Sequence, residues 1–253
     1  MNSGYIRDSD PLPSIADKYV QTYGGEALLT GGQAGSMVAM GMGLGLVADV
    51  QPRALQPGES IKGNLFFGGA GMDGPYIKDM VRAFGESGIA LTPVDMNKWS
   101  GGTALDSTLG VDLFRTGKQP IQVLLDDFKQ GGQQFNLIGY SYGSLAASQV
   151  AINYAQAGTQ VDNLVLLGSP IEKEFLNELR NTPNIKNVVV MDLTAQGDPI
   201  KAGMSRTELI IAAPTLGYQM TQGTGHFYYA PNTAVGQARR NDLATTPYRS
   251  GLR

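Results

Sequence analysis

Between residues 135 and 152 the chain runs from an apolar stretch, Phe135-Asn136-Leu137-Ile138, through Gly139-Tyr140-Ser141-Tyr142-Gly143, into Ser144 to Ile152. The first stretch reads as a strand. The last reads as a helix with small residues in its opening turn. A strand that becomes a helix within a few residues leaves little room for side chains, and glycine is the residue that tolerates such crowding. The turn would hold the Ser141 oxygen clear of a sheet, at the positive end of the following helix. A hydroxyl held there is a candidate nucleophile.

The chain around this turn alternates between apolar runs and helical patterns. Strands are predicted at Ile61–Phe67, Ile89–Val94, Phe135–Ile138, Val161–Leu167 and Ile185–Met191, with Leu209–Ala212 as a last one. Helices are predicted at Tyr76–Phe84, Ile121–Gln130 and Glu172–Arg180. Residues 97–118 show little periodicity and read as a loop or lid. Continuous apolar, β-branched runs belong to buried parallel strands. The expected class is therefore α/β: a mostly parallel central sheet with helices on both faces. Ligands in such sheets sit at the carboxyl ends of the strands.

Residues 1–58 differ from the rest: they are Gly-rich, with one short amphipathic stretch at 15–23 and an uncharged run from Leu28 to Ala48. They are expected to form an extension packed on a main domain spanning 59–253. The uncharged run makes peripheral contact with a membrane an expectation. The net charge of −3 supplies no basic footprint for nucleic acid. With no cysteine the chain has neither disulfides nor a thiol nucleophile. No metal or organic cofactor is expected.

A serine hydroxyl needs a base to take its proton, and the chain has one histidine, His226, in Gly223-Thr224-Gly225-His226. The base in turn needs an acid. Asp198, in the Gly197-Asp198-Pro199 turn, is favoured over Asp192 at the end of a predicted strand. Donors for a developing oxyanion are expected from the Tyr142 N–H and from the glycine loop after the first strand, with Gly69 and Ala70 favoured and Gly71 an alternative. That loop lacks the Walker lysine and the Gly-x-Gly-x-x-Gly spacing of nucleotide sites. Tyr140, Phe227 and Tyr228 are expected to line a substrate site.

Over about residues 61–230 these features resemble the α/β-hydrolase superfamily in its lipase and esterase branch, including the chain order Ser141, Asp198, His226. Many members carry His-Gly at the oxyanion loop, where this chain has Phe67-Gly68. The resemblance implies a serine hydrolase acting on a small-molecule or lipid ester through an acyl-enzyme. A phospholipase acting as a bacterial effector is one form of that expectation. An acyltransferase or amidase using the same residues, and a catalytically inert binding module, are the alternatives. Met1–Asp10 shows no signal-peptide pattern, so a bacterial cytoplasmic location or a non-standard secretion route is expected.

Overall fold

The computed structural model describes residues 61–70, 75–94, 104–119 and 131–253. The expected extension over 1–58 and the helix expected over Ile121–Gln130 lie outside the described residues, as does Gly71.

Among the described residues five strands form one all-parallel sheet: β1 (Gly63–Phe67), β2 (Leu91–Val94), β3 (Phe135–Tyr140), β4 (Val161–Leu167) and β5 (Ile185–Met191), in the order β2-β1-β3-β4-β5. The described helices are α1 (Pro75–Glu86), α2 (Ala104–Phe114), α3 (Tyr142–Gln156), α4 (Lys173–Asn181), α5 (Arg206–Gln222) and α6 (Ala234–Arg249). The central strands β1, β3 and β4 are buried at every position, so their sequences read as apolar runs interrupted only near the amino ends by buried polar residues: Asn64, Asn136, Asp162 and Asn163. In register on one face lie Leu65, Leu137 and Leu164, beneath Leu113 of α2, Val150 of α3 and Leu179 of α4. On the other face Phe66, Ile138 and Val165 meet Phe84 of α1 and Leu243 of α6. Each of these fully buried side chains contributes about 2 kcal/mol of transfer free energy. The class is α/β with helices on both faces. Among the described residues no helix is long and apolar enough to cross a membrane.

The strand order reverses direction between β1 and β3. Consequently α1, which follows β1, and α3, which follows β3, leave toward opposite faces of the sheet. The carboxyl ends of β1 and β3 therefore open a crevice, the place where ligands of open α/β sheets bind.

The opposite end of the sheet is closed by asparagines. Asn64, Asn136, Asn163 and Asn187 occupy matching register positions on four adjacent strands. Asn136 donates to Asn64 at 2.6 Å, Asn163 to Asn136 at 2.7 Å and Asn187 to Asn163 at 3.1 Å. Asn64 passes its own donors to the carbonyls of Ala90 and Arg253. Asn64, Asn136 and Asn163 each both give and accept, so three buried amides are satisfied along the row; the outermost, Asn187, donates into the row and is exposed.

Two expectations are corrected. Within residues 97–118, read as a loop or lid, α2 forms over Ala104–Phe114. Its Leu109, Leu113 and Phe114 are buried, and Gly110 lies so close to the Tyr142 ring that a Cβ there would overlap it. The buried positions Leu109, Gly110, Leu113 and Phe114 share one side of the helix, but Gly110 stands in that stripe where the sequence pattern would need an apolar side chain. Leu209–Ala212, expected as a strand, lies inside α5. That helix starts with a capping box: the Ser205 hydroxyl accepts from the Glu208 N–H at 3.2 Å, and the Glu208 carboxylate accepts from the Ser205 N–H at 2.7 Å. The local helix-start signal outweighs the β-branched pair Ile210-Ile211.

Candidate active site

Strand β3 ends at Tyr140 and α3 begins at Tyr142, so Ser141 alone makes the turn. It does so with φ 53° and ψ −125°, a conformation that costs a non-glycine residue about 1–3 kcal/mol. Neighbours hold it there. The Ser141 N–H donates to the Leu167 carbonyl at 2.8 Å, and the Ser141 carbonyl accepts from the Ser144 N–H at 3.0 Å and from the Ser144 hydroxyl. The flanking glycines are required for their size. Neither has a positive φ, but a Cβ on Gly139 would lie 2.6 Å from the Gly143 carbonyl oxygen, and one on Gly143 would lie 2.6 Å from the Phe67 carbonyl carbon. The two glycines let α3 start directly against the ends of β1 and β3.

The Ser141 Oγ lies 2.6 Å from Nε2 of His226, and Nδ1 of His226 lies 2.8 Å from Oδ2 of Asp198. A carboxylate only accepts, so Nδ1 carries the proton and Nε2 of the neutral ring accepts from the serine. Asp198 is fixed by its other oxygen, which accepts from the Ile200 N–H at 2.8 Å. Its side chain is fully buried. Gly168 leaves space for it, since a Cβ there would stand 3.2 Å from Asp198 Oδ2. Asp192, the rival acid, is exposed and accepts from the Ala202 N–H at 2.8 Å. The carboxylate on His226 is that of Asp198.

Tyr142 opens α3, at the positive end of the helix dipole. The glycine loop does lie against the serine: a Cβ on Gly69 would be 3.4 Å from Cβ of Ser141. The Gly69 N–H, however, donates to the Tyr76 hydroxyl at 2.9 Å, so it is committed to α1 rather than aimed at an oxyanion. Of the favoured pair, this leaves Ala70, which is half-buried against the core.

Tyr140, expected to meet substrate, does something else. It is 1% exposed, its ring stacks on the imidazole with centroids 6.0 Å apart, and its hydroxyl donates to the His226 carbonyl. Burial raises its pKa well above the ordinary phenol range, so it stays a neutral donor. Phe227 is half-buried and meets the imidazole edge-on at 5.4 Å. The ring of Tyr228 carries the Arg239 guanidinium at 4.0 Å and packs on Tyr229, which directs it toward α6.

Sequence reasoning missed the scaffold of the histidine loop. Arg239 donates to the carbonyls of Gly223 and Tyr228 at 3.0 and 2.9 Å, and buried Arg240 donates to that of Tyr229 at 2.6 Å. Arg240 is paired in turn with Asp79 of α1 at 2.7 Å. The adjacent arginines in α6 were the available signal, since a basic pair in a chain of low charge calls for partners. Among the described residues no group of three or more His, Cys, Asp or Glu side chains could hold a metal ion.

With this geometry in view, residues 98–191 match the family model described as alpha/beta hydrolase. The match takes in α2, β3, Ser141, α3, β4, α4 and β5, and stops short of Asp198 and His226. No curated protein matches the chain.

Proposed function

For a chain that belongs to the α/β-hydrolase superfamily, we propose that the reaction is hydrolysis of carboxylic esters, with Ser141 as nucleophile, His226 as general base and acid, and Asp198 as its partner. The observation that carries this reading is the continuous line of contacts from the Ser141 Oγ to Nε2, and from Nδ1 to the buried Asp198 carboxylate.

In this mechanism Ser141 Oγ attacks the ester carbonyl carbon as its proton passes to Nε2 of His226. The carbonyl oxygen takes the negative charge, and the backbone N–H groups of Tyr142 and Ala70 stabilise it. The imidazolium, held by Asp198, gives its proton to the departing alcohol oxygen as the C–O bond breaks. Water then attacks the acyl-serine, again losing a proton to Nε2. The collapse frees the acid and returns the proton to Ser141. Phe227, half-buried beside the imidazole, supports an aliphatic or lipid acyl group as the part of the substrate nearest the base.

The test is hydrolysis of p-nitrophenyl esters of short and long acyl chains by wild type, Ser141→Ala and His226→Ala. The expected result is activity that rises with aliphatic chain length and falls by roughly a thousandfold or more in each variant. Equal activity in the folded variants contradicts the reading. Acyl transfer to an added alcohol in preference to water would make the enzyme a transferase instead.

A further inference from the structure

The acid and the base come from separate loops, joined by α5. Each loop has a left-handed glycine directly before its functional residue: Gly197 at φ 83° before Asp198, and Gly225 at φ 54° before His226. Glycine is the residue with the most backbone freedom, so these are the positions where the loops need an outside restraint. Both receive it from one side chain.

Gln219, in the last turn of α5, is buried. Its Nε2 donates to the Gly197 carbonyl at 2.7 Å, and its Oε1 accepts from the His226 N–H at 2.9 Å. The amide cannot be turned the other way, because a carbonyl only accepts and a backbone N–H only donates. A Cβ on Gly225 would overlap this amide, so glycine there serves the contact as well as the turn. The Gln219 carbonyl also accepts from Thr224 N–H at 3.4 Å and from Gly223 N–H where α5 stops, tying the start of the histidine loop to the same residue.

We propose that Gln219 is a positioning residue that sets the separation of Asp198 and His226, clamping the acid loop and the base loop to the two ends of one amide. The proposal rests on the serine-hydrolase reading of this site. Without the amide, each loop keeps its own anchors, Ile200 on the acid side and Tyr140 with the α6 arginines on the base side, but among the described bonds only the one from His226 Nδ1 to Asp198 would join the two loops directly. The imidazole would then spend less time aligned with Ser141. Misplacement on the scale of 1 Å can lower a rate about a hundredfold.

The variant is Gln219→Met, which keeps length and bulk but neither hydrogen bond. His226 is the only histidine in the chain, so the proton on its Nδ1 has an unambiguous far-downfield NMR signal. The proposal expects that signal to weaken or move upfield in the variant. It also expects the acid limb of the kcat profile to move to lower pH, kcat on p-nitrophenyl esters to fall about a hundredfold, and KM to change little. An unchanged His226 signal together with unchanged kcat overturns the proposal, whatever the change in Tm. If Gln219→Met does not fold, Gln219→Asn decides. It keeps the amide but is one methylene too short to reach both Gly197 and His226, so the same weakening of the signal and fall in kcat are required, and wild-type behaviour refutes the clamp. The NMR signal needs no substrate. A wild type inert toward esters whose His226 signal still responds to Gln219→Met would sink the hydrolase reading and spare the clamp.

Discussion

The two ends of the sheet solve the same problem in opposite ways. At the amino ends of the strands, four asparagines in register bond to one another in a row, which ends on the Ala90 and Arg253 carbonyls. At the carboxyl ends, Ser141, Asp198 and His226 come from three different loops, and each needs neighbours: Ser144 and Leu167 for the serine, Ile200 for the aspartate, and Tyr140, Gln219 and the α6 arginines for the histidine segment. One end repeats a residue type along hydrogen-bonded strands. The other assembles unlike residues in geometries that regular structure does not supply, including a serine at positive φ. Reactive groups concentrate where the backbone is constrained, while the plain end secures the strand register.

The largest effect should come from the carboxyl end. Asp198→Asn is expected to lower kcat by roughly a thousandfold or more with little change in Tm, whereas Asp192→Ala leaves kcat near wild type; steady-state kinetics on the two variants compares the rival acids directly. Ser141→Gly should be inactive and yet about 1 kcal/mol more stable, because glycine relieves the positive φ; chemical denaturation checks this. Gly143→Ala should cost about 3 kcal/mol, since the new methyl meets the backbone at the end of β1 and cannot be accommodated by a rotamer change.

At the amino end the expected losses are of stability alone. Asn136→Ala leaves its partners on both sides, Asn64 and Asn163, with unmet amide groups in a buried row, and should cost about 2 kcal/mol while kcat stays unchanged. A fall in kcat without loss of stability would break the division between the two ends. The smallest effect concerns acid. Burial would raise the Asp162 pKa, but hydrogen bonds from the Phe135 N–H and Lys186, with the charges of Lys186 and Lys62, outweigh it and hold the carboxyl below its ordinary range. A group whose pKa is lower folded than unfolded stabilises fully above its unfolded value, and that share is lost as pH falls through the folded one. The contribution of Asp162 should therefore fade below about pH 4, and Asp162→Asn should flatten the Tm-against-pH curve there.

How much of this was legible in the sequence follows from how local each signal is. β4 could be bounded because a strand in a covered parallel sheet carries its burial in consecutive residues, and β5, half-buried at the sheet edge, because of its β-branched run Val188-Val189-Val190. The three residues singled out for the site come together because each sits in a short glycine-marked turn, and the chain offers one histidine. Side-chain partners set by register or by helix placement were invisible. Nothing local announces that Asn64 faces Asn136, that Tyr140 would turn its hydroxyl to the His226 carbonyl, or that Gly69 would give its N–H to Tyr76. In α5 the misleading signal was the apolar run Leu209–Ala212 with its β-branched pair Ile210-Ile211, while the Ser205 to Glu208 capping box pointed to the right answer.

The most direct test of the central claim is labelling of the intact protein with a fluorophosphonate probe, followed by mass mapping of the adduct. The account predicts a single adduct on Ser141, formed roughly a thousandfold more slowly in His226→Ala. A folded wild type that takes up no probe, or that carries the adduct on another residue, would contradict it.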